Sequence, residues 1–556
     1  MPNRFAGWFQ PRRYTLTRFL ILRLLGVVYV CAFLGIIFQG PALLGSHGLT
    51  PIASYVHGVS FSQLPSIFVW DSSDGMLAAC AYLGLAISIA VALGYANLPM
   101  LVVLWILYGS YVRVGQIWFA FGWETQLLET TLLAAVLAEP WNPRPLAARP
   151  PPVTSIVLMR WLAFRIMLGA GLIKWRGAAC WHDLTCLDWH FETQPIPNPL
   201  SPWFHHLPHS VHAFGVVFNN VVELVAPWFV FGPRPLRLVA GCLMLAFQVV
   251  LVASGNLAFL NWLTIIPVLA CFDDDFLRRL LPKRARTWLD ARVATGPPRD
   301  WHQLVAAIVV GGFVALVAAR FTTDALWAVS LLVTLYGVYW AIRFAILHGP
   351  KPRIADAHQL LAGVFAGLVA VKSVAVVDNL LARHRRQMMN ASFDKLELVN
   401  TYGAFGSVGD VRHELVIEGT MAADPTAPDA VWRTYELPCK PGDVARRPCL
   451  LGPYHRRLDW LIWFAAMNDE PRDPWLVHLI WKLLDGDPTI RELLDDPFDG
   501  TAPAWVRVRR FVYHLEPYDS DTWWTRDSEQ LWLAPVSRDT QELRKVIARF
   551  GWSAEE

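Results

Sequence analysis

Residues 180–199 read CWHDLTCLDWHFETQPIPNP and follow directly on an apolar stretch that closes with GAGLIKWRG. This short run gathers thiols, imidazoles, acids and aromatic rings around a Pro-x-Pro-x-Pro. Asp183, His190 and Glu192 sit beside Lys174, and two further acids, Glu124 and Glu223, lie in apolar surroundings elsewhere. Acids, a lysine and a histidine gathered at a membrane surface are what acid–base chemistry on a lipid-like or quinone-like substrate requires. Geometry decides whether they do so. Side chains that converge on one open pocket favour an enzyme, and side chains that pair off between helices favour a scaffold.

The thiols allow other chemistries. Cys180 with Cys186, and Cys439 with Cys449, are close pairs, and in an oxidising compartment each favours a local disulfide. A redox-active Cys180/Cys186 pair lacks the Cys-x-x-Cys spacing. A metal site from Cys180, His182, Cys186 and His190 matches no zinc spacing. Cys31, Cys80, Cys242 and Cys271 fall in apolar runs and read as small buried hydrophobes. No Ser-His-Asp order, Gly-rich phosphate loop or His-Glu-x-x-His is present, and no metal or other cofactor is expected.

Ionisable residues inside hydrocarbon mark buried polar networks. Glu124 and Glu129 lie in FAFGWETQLLE, Arg165 in MRWLAFRIMLGAG, and Glu223 in VVFNNVVELVAPWF. At 100° per residue Asn219, Asn220 and Glu223 share a helix face. Arg165 or Lys174 is the natural partner of Glu124 or Glu223. Arg165 and Lys174 are nine residues apart, point to nearly opposite sides and need different partners. Gly169 and Gly171 admit a close backbone. Asn256 and Asn261, in GNLAFLNW, fall near the depth of Lys174. Trp181 and the prolines are expected to wedge the loop on the bundle, with Asp183, His190 and Glu192 tied to Lys174, Arg176 or Arg165. The whole set is then either interhelical ties or the lining of a polar cavity roofed by the loop.

The elements that must hold these residues are mostly membrane helices. Of 556 residues 54% are hydrophobic and 17% charged, with long windows almost free of charge. The chain reads as a polytopic α-helical membrane protein with a C-terminal soluble α+β domain. About eleven spans are expected, near 17–39, 75–95, 97–112, 117–138, 154–174, 212–232, 235–253, 257–272, 302–320, 324–346 and 357–378. They form a domain over 1–380, with the Cys/Trp/Pro-rich loop at about 175–210. The first run reads as an anchor, not a removed signal. Membrane lipids are expected partners. A net charge of +3 without a clustered basic face argues against nucleic acid.

Arginine and lysine concentrate at the N-terminus and in alternate loops, so the N-terminus is expected in the cytoplasm and the tail on the far side. Arg383, Arg385 and Arg386, just past the last span, run against that pattern. Residues 390–556 mix strand-like runs (ELVIEGT, VRVRRFVYHL) with helical ones (LDWLIWFAAM, WLVHLIWKLL, ELRKVIARF). Residues 280–300 and 421–431 read as loops. In the tail, His455, Arg456, Arg457, Asp459, Trp460 and Trp463 read either as a core helix with a charged entrance or as a surface that holds a client protein, through residue types enriched at interfaces.

Several of these strings, in this order, resemble the lipase maturation factor family: FGWETQLLE, the run from FRIMLGAGLIKWRG to PIPNP, SGNLAFLNWLTIIPVLACFDD, NTYGAFGSV, CKPGDVARRPCLLGPYHRRLDWLIWFAAM and PAWVRVRRFVYHL. The resemblance covers most of 110–275 and 390–556. It implies an endoplasmic reticulum membrane protein whose luminal tail helps secreted lipases fold and assemble, without a cofactor. The membrane part is also distantly similar to that of the vitamin K-dependent carboxylase group. Arginine outnumbers lysine 40 to 8 and the chain closes GWSAEE. The ending carries no obvious endoplasmic reticulum retention signal, and the arginine excess points to a bacterial relative in the inner membrane, with the tail in the periplasm and another secreted client.

Overall fold

The computed structural model describes residues 12–146, 149–290, 354–382 and 386–552. Among the described residues six helices are long and apolar enough to cross a membrane: Thr15–Leu44, Asp74–Leu93, Val153–Trp175, His209–Phe231, Arg234–Ser254 and His358–Leu381. About eleven spans were expected. Three of the remainder fall on shorter helices, Leu98–Val114, Gly122–Leu137 and Leu260–Cys271. The spans expected at 302–320 and 324–346 lie outside the described residues, as do Arg383 and Arg385. Residues 280–300 were expected as loop, but Lys283–Asp290 is helical.

Local chemistry sets the helix ends. The Ser73 side chain accepts from Met76 N to open one span, and Gly94, at φ 106°, closes it in the left-handed region that glycine tolerates. Asn97 caps the next helix, with Pro99 in its first turn. The buried Asp274 carboxylate accepts the backbone N–H groups of Thr15 and Leu16, placing an anion at the start of the first span.

The loops sort to two ends. At one end Arg12 pairs with Asp275, Arg234 and Arg237 hold Asp273, Arg18 donates to Arg149 O, and Ala96 N donates to Pro143 O. This is the arginine-rich end at which the described chain starts, at Arg12. At the other end His478 bonds Leu49 O, Gln39 donates to His455 O, and Arg457 donates to Trp118 O. The tail therefore packs on the end of the bundle opposite the start of the first span, Thr15.

The tail holds a four-stranded antiparallel sheet in the order β2-β1-β3-β4, with β1 Arg412–Thr420, β2 Trp432–Tyr435, β3 Trp505–Leu515 and β4 Trp524–Val536. Ile417 lies opposite Val508, and Glu418 opposite Arg507, with which it pairs at 2.8 Å. Leu415, Ile417, Val506 and Val508 pack in one core with helices Arg457–Ala466 and Pro474–Asp485. That core is continuous with the bundle's own.

Candidate functional site

The buried charges of the bundle are closed by partners from other elements. Lys174 Nζ donates to Glu223 Oε1 at 2.7 Å and Asn219 Oδ1 at 2.8 Å. Of the three residues expected on one face, Asn219 and Glu223 meet the lysine, while Asn220 is half-buried and touches Asn219. The 100° assumption fails here because Val221–Val225 forms a π turn. Gly171 makes the approach possible, since a Cβ there would lie 2.9 Å from Glu223 Cβ.

Glu124 takes neither Arg165 nor Lys174. Its partners are Arg457 of the tail at 2.7 Å, Trp123 Nε1 at 3.2 Å, and the Tyr108 hydroxyl. Arg165 instead pairs with Glu129, and both are almost fully buried. A strap of the tail completes that pair. Asn400 N and Tyr402 OH donate to Glu129 Oε2 at 3.0 and 2.7 Å, and Arg165 donates to Asn400 O at 2.9 Å. A Cβ at Gly169 would strike Tyr402 O at 2.4 Å, so the glycine is what lets the strap in.

The Cys180–Pro199 run is wedged between bundle and tail. Its start is closed by the Cys180–Cys186 disulfide. Trp181 donates to Phe405 O, and Ala178 N donates to Gly406 O. A helix, Cys186–Thr193, follows, and then a buried run from Gln194 to Asn198 without regular secondary structure. The carbonyls of Glu192, Gln194 and Pro195 accept from the Arg412 guanidinium, and Lys440 Nζ lies 3.4 Å from Pro195 O. Glu414 neutralises both cations. Burial pulls the Lys440 ammonium down to about 8, against the opposing pull of Glu414. Prolines along this stretch remove backbone donors and leave carbonyls for the cations to collect.

The expected tie of Asp183, His190 and Glu192 to Lys174, Arg176 or Arg165 does not form. Asp183 is exposed. Arg176 donates to Gln387 Oε1. Glu192 accepts from Leu515 N at 2.8 Å and faces His205 and His514. His190 is buried against Phe405, with its pKa pulled down to about 4 by burial and by the nearby Lys174 charge. Asn256 stitches the two parts together. Its Nδ2 donates to Pro197 O and Cys449 O, and its Oδ1 accepts from Leu451 N and Gly452 N. Asn261 is buried. Of the six side chains of the acid–base reading, Lys174 and Glu223 pair with each other, Glu124 and Glu192 take partners from the tail, Asp183 is exposed and His190 packs on Phe405, so they do not converge on one open cavity.

The reading of residues 455–463 as a client surface meets a steric bar. His455, Arg457, Asp459 and Trp460 are buried. Asp459 accepts from Cys439 N, and Trp463 donates to Thr193 O. Arg456 is half-buried. The helix is tail core facing the bundle, because its arginine has a carboxylate to meet there. The second disulfide, Cys439–Cys449, closes the loop beside it. Among the described residues no group of three or more His, Cys, Asp or Glu could hold a metal ion.

Arg412, Glu414, Lys440, Gln39, Asn400 and Tyr402 were not singled out from the sequence. Asn400, Tyr402 and Lys440 lie within strings that carry the family resemblance, and Arg412 and Glu414 alternate at the entry to the strand-like run ELVIEGT, but none of these signals named a partner.

Two family profiles match the chain: the lipase maturation factor transmembrane domain over residues 16–279, and the lipase maturation factor C-terminal domain over 398–534. Lipase maturation factor 1 of Bos taurus is 41% identical, over 97% of this chain and 92% of the relative. The Homo sapiens protein of that name is 40% identical, over 97% and 90%. Lipase maturation factor 2 of Mus musculus is 29% identical, over 96% and 84%. No solved structure matches.

Proposed function

Since the chain belongs to the lipase maturation factor family, we propose that it is a membrane-bound factor that assists folding and assembly of a secreted lipase. The observation that carries this reading is the closure of its ionisable residues. Lys174–Glu223, Arg165–Glu129 and Arg457–Glu124 are satisfied ties between elements, so bundle and tail are locked together and present a surface to the client. Such a platform works by binding native-like or assembling forms better than misassembled ones, which shifts the client's populations.

We place the tail on the luminal or periplasmic side. Supporting this are the arginine-rich N-terminal end, the tail's position at the opposite end, and the two disulfides. The arrangement needs an odd number of spans, as the eleven expected from the sequence would supply. The client is proposed to meet the outward part of the tail, where most of β4 is exposed.

The test is co-expression of the full chain with a panel of secreted lipases in cells that lack their own maturation factor. Secreted lipase activity per unit lipase antigen is expected to rise. No rise, with the chain present in the membrane, would defeat the reading.

A further inference from the structure

Two adjoining crevices lie apart from the ion-paired ties. The first lies between the chain after Pro199 and Tyr518, and the second where that chain, the end of the Arg234–Ser254 span and the loop closed by Cys439–Cys449 meet. One, of about 370 Å³, is lined by Leu200, Trp203, Phe204 and Tyr518. The other, of about 530 Å³, is bounded by Val252 and Ala253 on the span and by Arg447 and Leu450 on the tail, and the two share Leu200. The walls are held in place. Asn198 donates to Ala253 O, and Asn256 fixes Cys449, Leu451 and Gly452.

These walls carry apolar side chains that water would not favour. Leu450 is 79% exposed and Trp203 54%. A connected exposed apolar surface signals a partner. Its nature follows from continuity. Val249 and Val250, about one turn back along the same span, are also exposed, so the lipid-facing side of a membrane helix runs straight into the crevice. Arg447 is the cation of the lining, exposed at the rim, with its guanidinium 3.3 Å from Tyr518 OH and over the Trp523 ring. Aromatic rings and a snorkelling arginine beside aliphatic side chains are the pattern of the headgroup boundary.

We propose that this junction is a phospholipid site. Acyl chains lie along Val252, Leu200 and Leu450, the phosphate meets Arg447, and Trp203 and Tyr518 sit at headgroup level. The disulfide-closed loop of the tail thereby dips into the far leaflet. The site depends on membrane insertion and not on the maturation reading.

The test uses the full chain in nanodiscs, with Cys31→Ser and Cys242→Ser removing the reactive thiols that are not buried. Bimane is attached at Leu450→Cys, and lipids brominated on the acyl chain serve as quenchers. Val250→Cys marks a lipid-facing position and Glu529→Cys on β4 a water-facing one. Leu450→Cys is expected to be quenched about as strongly as Val250→Cys. Quenching no greater than at Glu529→Cys overturns the proposal, as does protection of Leu450→Cys by a co-expressed lipase without any quenching by lipid. In native mass spectrometry, Arg447→Glu is expected to release phospholipid that the parent chain retains. Equal retention overturns the phosphate contact.

Discussion

Arg457 and Glu124 stand 333 residues apart in the chain and 2.7 Å apart in the fold. One belongs to the tail and the other to the bundle, and both are buried. The pair is therefore a test of whether the two parts form one folding unit.

Replacing Arg457 with alanine leaves Glu124 buried without its counter-ion. Breaking such a pair costs about 3–5 kcal/mol. The Arg457→Ala chain in detergent is expected to unfold at clearly lower temperature, and Glu124→Gln combined with Arg457→Met is expected to recover much of the loss. An unshifted transition in the single variant would show the tie to be energetically idle.

The Glu129 carboxylate accepts the Tyr402 hydroxyl. Removing one hydrogen bond to a charged group costs about 1.5–3 kcal/mol. Tyr402→Phe is expected to free the strap, so limited proteolysis should cut between residues 386 and 411 sooner than in the parent. Equal cutting times would argue that the strap is held by other contacts.

Cys439–Cys449 closes a loop of ten residues' separation. A loop of that size gives about 3 kcal/mol of stabilisation in the chain-entropy account. Cys439→Ser with Cys449→Ser is expected to lose about that much. Maleimide should label the parent at these positions only after reductant. Labelling without reductant contradicts the bridge.

Acid is expected to loosen the tail. Burial holds His190 and His478 down to about 4, and His478 bonds Leu49 O. An unfolded histidine titrates near 6.5. Between those values the unfolded chain binds more protons, so stability is full above about 6.5 and declines as pH falls toward 4, by at most about 1.4 kcal/mol per pH unit for each histidine. His478→Gln should flatten the decline. A slope unchanged by that substitution would remove His478 from the account.

Much of this was readable along the chain. Apolar windows marked most of the membrane helices, because spanning needs continuous hydrocarbon contact whatever the neighbours are. Alternation in VRVRRFVYHL marked β3, and the close cysteine pairs marked both disulfides. Type and depth narrowed the partner of Glu223 to Arg165 or Lys174, and Lys174 is the one it meets.

What the chain's order could not say was which charge meets which. Glu124 had two nearby candidates in the bundle and took a third from the tail, and Glu129 gained Asn400 and Tyr402 from a strap that enters beside Gly169. Residue type and helical period are local properties, so sequence alone determined that buried charges existed and needed partners. The choice among cations depends on which backbones come within about 3 Å, and only the tertiary packing of tail on bundle decided it.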